Sequence, residues 1–164
     1  MTTPNKTMPL FRELLESPQN RLVEQACAAG RIPIGYACSV VPEALLMADK
    51  LFPVRLHAPG VAGTEIADNY LSSFVCSYAR SLLEFALDER FDLMRGWVFV
   101  PSCAHMQRLS DNLDYLKPPA FNHILDVPRK VNADTLTWMA EELETLSGKL
   151  AQAFGVDMST ASLT

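Results

Sequence analysis

The sequence predicts an α/β fold, an open, doubly wound sheet of four parallel strands. Two observations carry this. Four short apolar, β-prone segments alternate along the chain with runs whose apolar residues recur at helical spacing. Crossovers between parallel strands are right-handed almost without exception, which leaves 2-1-3-4 as the simplest strand order. The chain opens on a helical extension over residues 1–30. Phe11, Leu14 and Leu15, then Leu22, Val23, Ala26 and Cys27 keep helical spacing, Ser17-Pro18 interrupts them, and Gly30 ends the run. The α/β unit follows over 31–155. Ile32 to Cys38 is the first strand, and Pro42 to Ala48 reads as a helix, because Pro suits a first turn and Glu43 favours the dipole's positive end. Pro53 to His57 is the second strand. From Thr64 to about Glu89, Leu71, Phe74, Val75, Tyr78, Leu82 and Phe85 lie at helical offsets and predict one long helix. Met94 to Val100 is the third strand, His105 to Leu116 a helix, and Phe121 to Val127 the fourth strand. Asn132 suits the N-cap of a long last helix with a face of Leu136, Ala140, Leu143, Leu146, Leu150 and Phe154, and Gly155 stops it. Small polar residues over 156–164 predict a flexible tail. Together these elements give a Rossmann- or flavodoxin-like architecture.

Composition narrows the function. The 164 residues, 49% hydrophobic and 20% charged, suit one globular domain and exclude a disordered chain or a disulfide-stapled miniprotein. A formal charge of −5 argues against wrapping a nucleic-acid backbone. No apolar run approaches the ~18 residues of a membrane span, and the opening residues lack the basic-then-apolar order of a secretory signal. The expected location is therefore cytoplasmic, with no membrane partner. There, Cys27, Cys38, Cys76 and Cys103 are thiols or metal ligands rather than disulfides. No Cys-x-x-Cys pair occurs, which removes zinc-ribbon and thioredoxin-like readings. Gly60-Val61-Ala62-Gly63 is followed by no Lys-Ser or Lys-Thr, so ATP hydrolysis by this chain is not expected.

In an open parallel sheet, ligands bind beyond the carboxyl ends of the strands, at the point where the strand order reverses. In the order 2-1-3-4 this point lies between strands one and three. Cys38 and Cys103 end those two strands, and Cys76 belongs to a helical run that starts on the same side. Three thiols converging there would hold an iron–sulfur cube with one iron left open, whereas four would close it. The competing reading is packing, since free cysteine is among the most buried residue types. Cys27, on an apolar helix face, is read as packing.

Four consecutive motifs carry a resemblance. Gly35-Tyr36-Ala37-Cys38-Ser39-Val40-Val41-Pro42-Glu43, Phe52-Pro53-Val54-Arg55-Leu56, Cys76-Ser77-Tyr78-Ala79-Arg80-Ser81, and Pro101-Ser102-Cys103 with Arg108-Leu109 follow one another. In order and spacing they resemble the 2-hydroxyacyl-CoA dehydratase and benzoyl-CoA reductase family, from about Arg31 to Gly155. The resemblance implies an iron–sulfur subunit in which Cys38 and Cys76 hold a [4Fe–4S] cluster, with Cys103 as candidate third ligand. Ala104 stands where the family often has Asp. It also implies an acyl-CoA substrate, a related second subunit, and a separate ATP-hydrolysing activator protein that supplies electrons. In the dehydratases one electron reduces the thioester to a ketyl radical and the hydroxyl leaves; relatives dearomatise benzoyl-CoA. Family members are considerably longer, so the chain is expected to correspond to their amino-terminal domain, with the remaining cluster ligand lying downstream.

Other polar residues are weaker candidates. Arg55 and His57 end the second strand, where a coenzyme A phosphate would be met, and Arg80 follows Cys76 by one helical turn, placed to orient an anion or balance a cluster. Glu43 and His105 are the candidate acid–base groups, the first otherwise a dipole partner and the second a donor to sulfur or a proton source. Two further classes remain open: a non-catalytic docking or structural domain that keeps the fold without a complete cluster site, and a small flavodoxin-like ligand binder.

Overall fold

The computed structural model describes residues 7–159. Two helices, α1 (Thr7–Glu16) and α2 (Arg21–Ala28), precede the sheet. Asn20 joins them. Its Oδ1 caps α2 by accepting the Leu22 N–H at 3.0 Å, while its Nδ2 donates to the Leu14 carbonyl at 2.9 Å. Gly30, at φ +77°, turns the chain into the sheet in a conformation that costs glycine little.

Strands β1 (Ile32–Tyr36), β2 (Leu51–Arg55), β3 (Gly96–Phe99) and β4 (Phe121–Ile124) form one parallel sheet in the order β2-β1-β3-β4. This is the order the alternation predicts. Side chains alternate across it. Ala37, Val54, Trp97 and Phe99 pack on one face with α2, α3 (Ser77–Leu87) and α4 (Ala104–Leu116), whereas Ile34, Tyr36, Val98 and Phe121 pack on the other with α5 (Ala133–Phe154). Helices on both faces make the sheet doubly wound, and the reversal falls between β1 and β3.

Three sequence expectations are corrected. The helix expected over 42–48 is a single 3₁₀ turn, Leu45–Met47, in which Leu46 is fully buried and plugs the second core face. The helix expected from Thr64 to about Glu89 is broken: a 3₁₀ turn at Ala67–Asn69 precedes α3, which starts only at Ser77. Side chains compete with the helical ladder there, since Asn69 Nδ2 donates to the carbonyls of Glu65 and Ile66, and Ser72 Oγ accepts the Phe74 N–H. Glu84, from α3, accepts the Ala67 N–H at 2.8 Å and fixes the break. Third, α5 has its predicted caps but not its full predicted face. Asn132 and Thr135 form a reciprocal capping box and Gly155 closes the helix at φ +63°, yet only Leu146 and Leu150 are buried and Leu136 is 61% exposed. Of the expected tail, Val156 is buried against the second core face, and 160–164 lie outside the described residues, as do 1–6 of the expected extension.

His123, on β4 at 7% exposure, has Lys149 Nζ at 3.3 Å from Nδ1. Burial first and the Lys149 charge second hold its pKa below the usual histidine value, against an opposing pull from Glu142. The unfolded chain therefore binds a proton that the folded chain rejects, as pH falls below about 6.5. This contribution is complete above that value and is lost as pH drops through the folded pKa. The melting temperature should fall between about pH 7.5 and about pH 5.5, and a His123→Gln variant should show a shallower fall in the same calorimetric series.

Candidate functional site

The carboxyl edge of the sheet opens into a cavity of about 800 Å³, within the range of small-molecule sites. Cys38, Cys76 and Cys103 all border it. Each arrives by a different route. Cys38 follows β1, and β1 pairs directly with β3 through Tyr36 and Val98, so the chain leaving β3 brings Cys103 to the neighbouring position on the same rim. Cys76 is the residue immediately before α3 and Cys103 the residue immediately before α4, and neither side chain makes a capping hydrogen bond to its helix. Two helix N-termini, with their partial positive charge, thus stand beside two thiols at one opening.

Cys38 carries a backbone signal as well. Its φ of +92° lies in a region that residues with a Cβ rarely adopt. The thiol is half-buried, like that of Cys76, while Cys103 is exposed. Tyr78 stands beside the first two: burial foremost pushes its pKa up, Arg55 pulls it down, and charge at Cys38 or Cys76 adds to the rise. Its hydroxyl donates to the Leu56 carbonyl at 3.0 Å, so its proton is already committed. Cys27 lies elsewhere, packed against the first core face.

The other candidates separate. Arg55 and His57 line the cavity. His57 Nδ1 lies 3.0 Å from the Arg55 carbonyl, which can only accept, so in the neutral ring Nδ1 carries the hydrogen and Nε2 is a buried acceptor without a donor. Arg80 is not brought to the cavity. Its guanidinium grips Asp68 through two bonds of 2.7 and 2.6 Å, donates to Thr64, and holds the Asp68 carboxyl below its usual pKa. Glu43 has no helix to cap, and its carboxylate accepts the hydroxyl of buried Tyr36, whose pKa is raised by burial foremost and then by that bond. His105 neither donates to a sulfur nor lines the cavity. Its Nδ1 accepts the backbone N–H of Cys76 at 3.1 Å, tying the start of α4 to the start of α3 and leaving the ring hydrogen on Nε2. Sequence reasoning missed the walls: Leu14, Leu15, Phe52 and Met106 read as ordinary helix and strand residues, and nothing in their spacing marks them as lining.

A family model described as 2-hydroxyglutaryl-CoA dehydratase, D-component, matches residues 38–164. The chain belongs to that family. Among curated proteins, the (R)-phenyllactyl-CoA dehydratase beta subunit of Clostridium sporogenes is 28% identical over 114 residues, which is 68% of this chain and 30% of that relative. The chain thus matches less than a third of the relative's length, and α1, α2 and β1 lie before the segment that the dehydratase family model covers.

Among the described residues, no three His, Cys, Asp or Glu side chains gather closely enough to hold a single metal ion. The three cysteines that border the cavity do not form such a group. No helix among the described residues is long and apolar enough to cross a membrane.

Proposed function

We propose that this chain is the iron–sulfur-binding part of a 2-hydroxyacyl-CoA dehydratase, acting on an acyl-CoA thioester with low-potential electrons. The observation that carries the reading is the arrival of Cys38, Cys76 and Cys103, far apart in the chain, at one cavity where the strand order reverses. The donor set fits a [4Fe–4S] cluster: thiols are its protein ligands, and ligands at the corners of a cube stand further apart than those around one ion. Cys38 and Cys76 are the first two ligands and Cys103 the third. Bound there, such a cluster supplies one open iron for an oxygen of the substrate and a route for low-potential electrons.

The chain's own residues then have separable tasks. The starts of α3 and α4 place partial positive charge at the rim, which favours an anionic group between them. Arg55 lines the cavity, placed to meet a coenzyme A phosphate. His105 is a positioning residue, holding the Cys76 backbone. Tyr78 and Glu43, both already hydrogen-bonded, do not serve as the acid or base. Dehydration rather than ring reduction is supported by the two comparisons, whose descriptions both name dehydratases. A related second subunit and an ATP-hydrolysing activator in a reducing cytoplasm complete the proposed system.

Anaerobic reconstitution of the full chain with ferrous iron and sulfide, alone and with the companion subunit, tests this. Iron, acid-labile sulfide and an EPR signal after reduction are expected. A folded chain that takes up no iron even beside its companion overturns the reading, and stable assembly without iron selects a docking role instead.

A further inference from the structure

The two edges of the sheet are finished differently. In a parallel pair the N–H and C=O of one residue point to the same neighbouring strand, and those of the next residue point the other way. Leu56 donates its N–H to the Tyr36 carbonyl, so on β2 the residues whose backbone faces away from β1 are Leu51, Pro53 and Arg55. That edge is largely closed: the Leu51 N–H donates to the Ala48 carbonyl, the Leu51 carbonyl accepts from Arg31, Pro53 has no N–H, and the Arg55 carbonyl accepts from His57. At the other edge Leu125 donates to the Phe99 carbonyl, so Phe121 and His123 also face β3, and the backbone groups of Asn122 and Ile124 face outward. These two donors and two acceptors have no partner among the described residues. Because α4 and α5 cover opposite faces of the sheet, the cavity of about 500 Å³ that both helices line together with Asn122, His123 and Ile124 runs past this open edge.

Its walls are acidic. Asp111 and Asp114 reach it from α4, Glu142 from α5 and Asp126 from just beyond β4, against one ammonium, Lys149. Arg108, itself exposed, approaches Asp111 only to 3.7 Å. His123, 7% exposed, is unmatched too: the Lys149 ammonium can only donate to Nδ1, so the ring hydrogen sits on Nε2, where no acceptor stands among the described residues. We infer that the β4 edge is a docking site at which an extended, basic segment of a partner protein adds a fifth strand, pairing its backbone with Asn122 and Ile124 and its cations with the carboxylates of α4 and α5. Successive side chains of an added strand point to opposite faces, and carboxylates stand on both. Charge decides the occupant. A second copy of this chain would bring the same carboxylates against each other, whereas a basic segment neutralises them. The inference stands apart from the proposed function, since no residue of this cavity borders the thiol cavity.

Amide exchange followed by NMR on the full chain tests it, with the blocked hexapeptide Val-Lys-Lys-Val-Lys-Val as probe. At saturation the peptide should slow exchange of the Asn122 and Ile124 amides at least about tenfold, while the His123 amide, already bonded to β3, stays as protected as before and reports on folding. The same peptide with Glu in place of Lys should not bind. A chain carrying both Asp114→Lys and Asp126→Lys, at exposed positions, should bind the lysine peptide at least about tenfold more weakly with its His123 amide still protected. N-methylation of the peptide's alternate amides should abolish binding in at least one of the two registers, as backbone pairing requires. No binding overturns the inference. So does binding that leaves Asn122 and Ile124 exchanging freely, since that is attraction of cations without an added strand, and so does undiminished binding by the charge-reversed chain. Protection of the two amides that rises with protein concentration in the absence of peptide also overturns it, and makes a second copy the occupant.

Discussion

A Cys38→Gly chain should be more stable than its parent and unable to retain iron. Cys38 holds φ +92° with a Cβ attached, a conformation whose strain costs on the order of 1–3 kcal/mol. Glycine adopts it freely but gives back about 0.5–1 kcal/mol through the greater freedom of its unfolded chain, and the half-buried thiol's packing against the second core face is lost as well. A net gain of about 1 kcal/mol remains, worth roughly 2–4 °C in melting temperature for a chain of this size. After anaerobic reconstitution the same variant should carry background iron only. Cys38→Ser keeps the strain and loses the ligand, so it should lose iron without the stability gain. Cys27→Ser is the control, since Cys27 packs in the core away from the cavity, and its iron content should match the parent. A Cys38→Gly chain that melts below the parent would show that the thiol's packing outweighs the backbone strain, and one that retains full iron would remove Cys38 from the ligand set. The opposed signs of the two readouts separate a strained residue kept for chemistry from one kept for packing.

That Cys38 and Cys103 border one cavity is legible because it follows from topology alone. Once β1 and β3 are neighbours and parallel, residues just past their ends share a rim, and Cys38 and Cys103 were placed there by counting. Cys76 was harder to place. Its apolar neighbours lie at helical offsets, but Asn69 and Ser72 turn their side chains onto the backbone and stop the ladder, so α3 begins immediately after Cys76 and not a dozen residues before it. That shift moves the thiol from mid-helix to a helix start. The connection over Pro42 to Ala48 misled for a related reason: the Leu45 and Leu46 pair satisfies a helical pattern, yet one buried leucine in a 3₁₀ turn suffices to cover that stretch of sheet. Arg80 is not placed to orient an anion, because its partner Asp68 lies in the same segment, where the helical pattern fails. The cavity walls were not legible at all. Leucines on α1 and α2 have the same spacing whether they meet a core or an opening, and only the distance between the helices and β2 decides which.

Gly35→Ala should be among the most damaging single changes in the sheet, although it adds one methyl group. Gly35 lies in β1 between Val54 of β2 and Trp97 of β3. A Cβ built there would stand 2.6 Å from Trp97 Cε3 and 2.9 Å from Leu56 Cδ2, closer than carbon atoms approach in folded proteins. The indole has little room to give, being 3% exposed and packed edge-on against Phe91 with ring centroids 5.9 Å apart. Overpacking of this kind costs about 1–3 kcal/mol, partly offset by alanine's smaller loss of backbone freedom. Gly35→Val adds two further carbons in the same space and should leave little folded chain. The steric origin has its own signature. In a Trp97→Leu background the Gly35→Ala step should cost less than in the parent, with a coupling of about 0.5–3 kcal/mol read from urea midpoints across the four chains. Absence of coupling would mean that the loss arises elsewhere in β1. The consequence reaches the cavity because Leu56 both touches the added methyl and accepts the Tyr78 hydroxyl through its carbonyl. Displacing Leu56 therefore loosens Tyr78, which stands beside Cys38 and Cys76, so Gly35→Ala should lower iron retention in proportion to the folded fraction and then somewhat further, whereas Gly148→Ala, in open space inside α5, should raise stability by about 0.5–1 kcal/mol and leave iron retention unchanged.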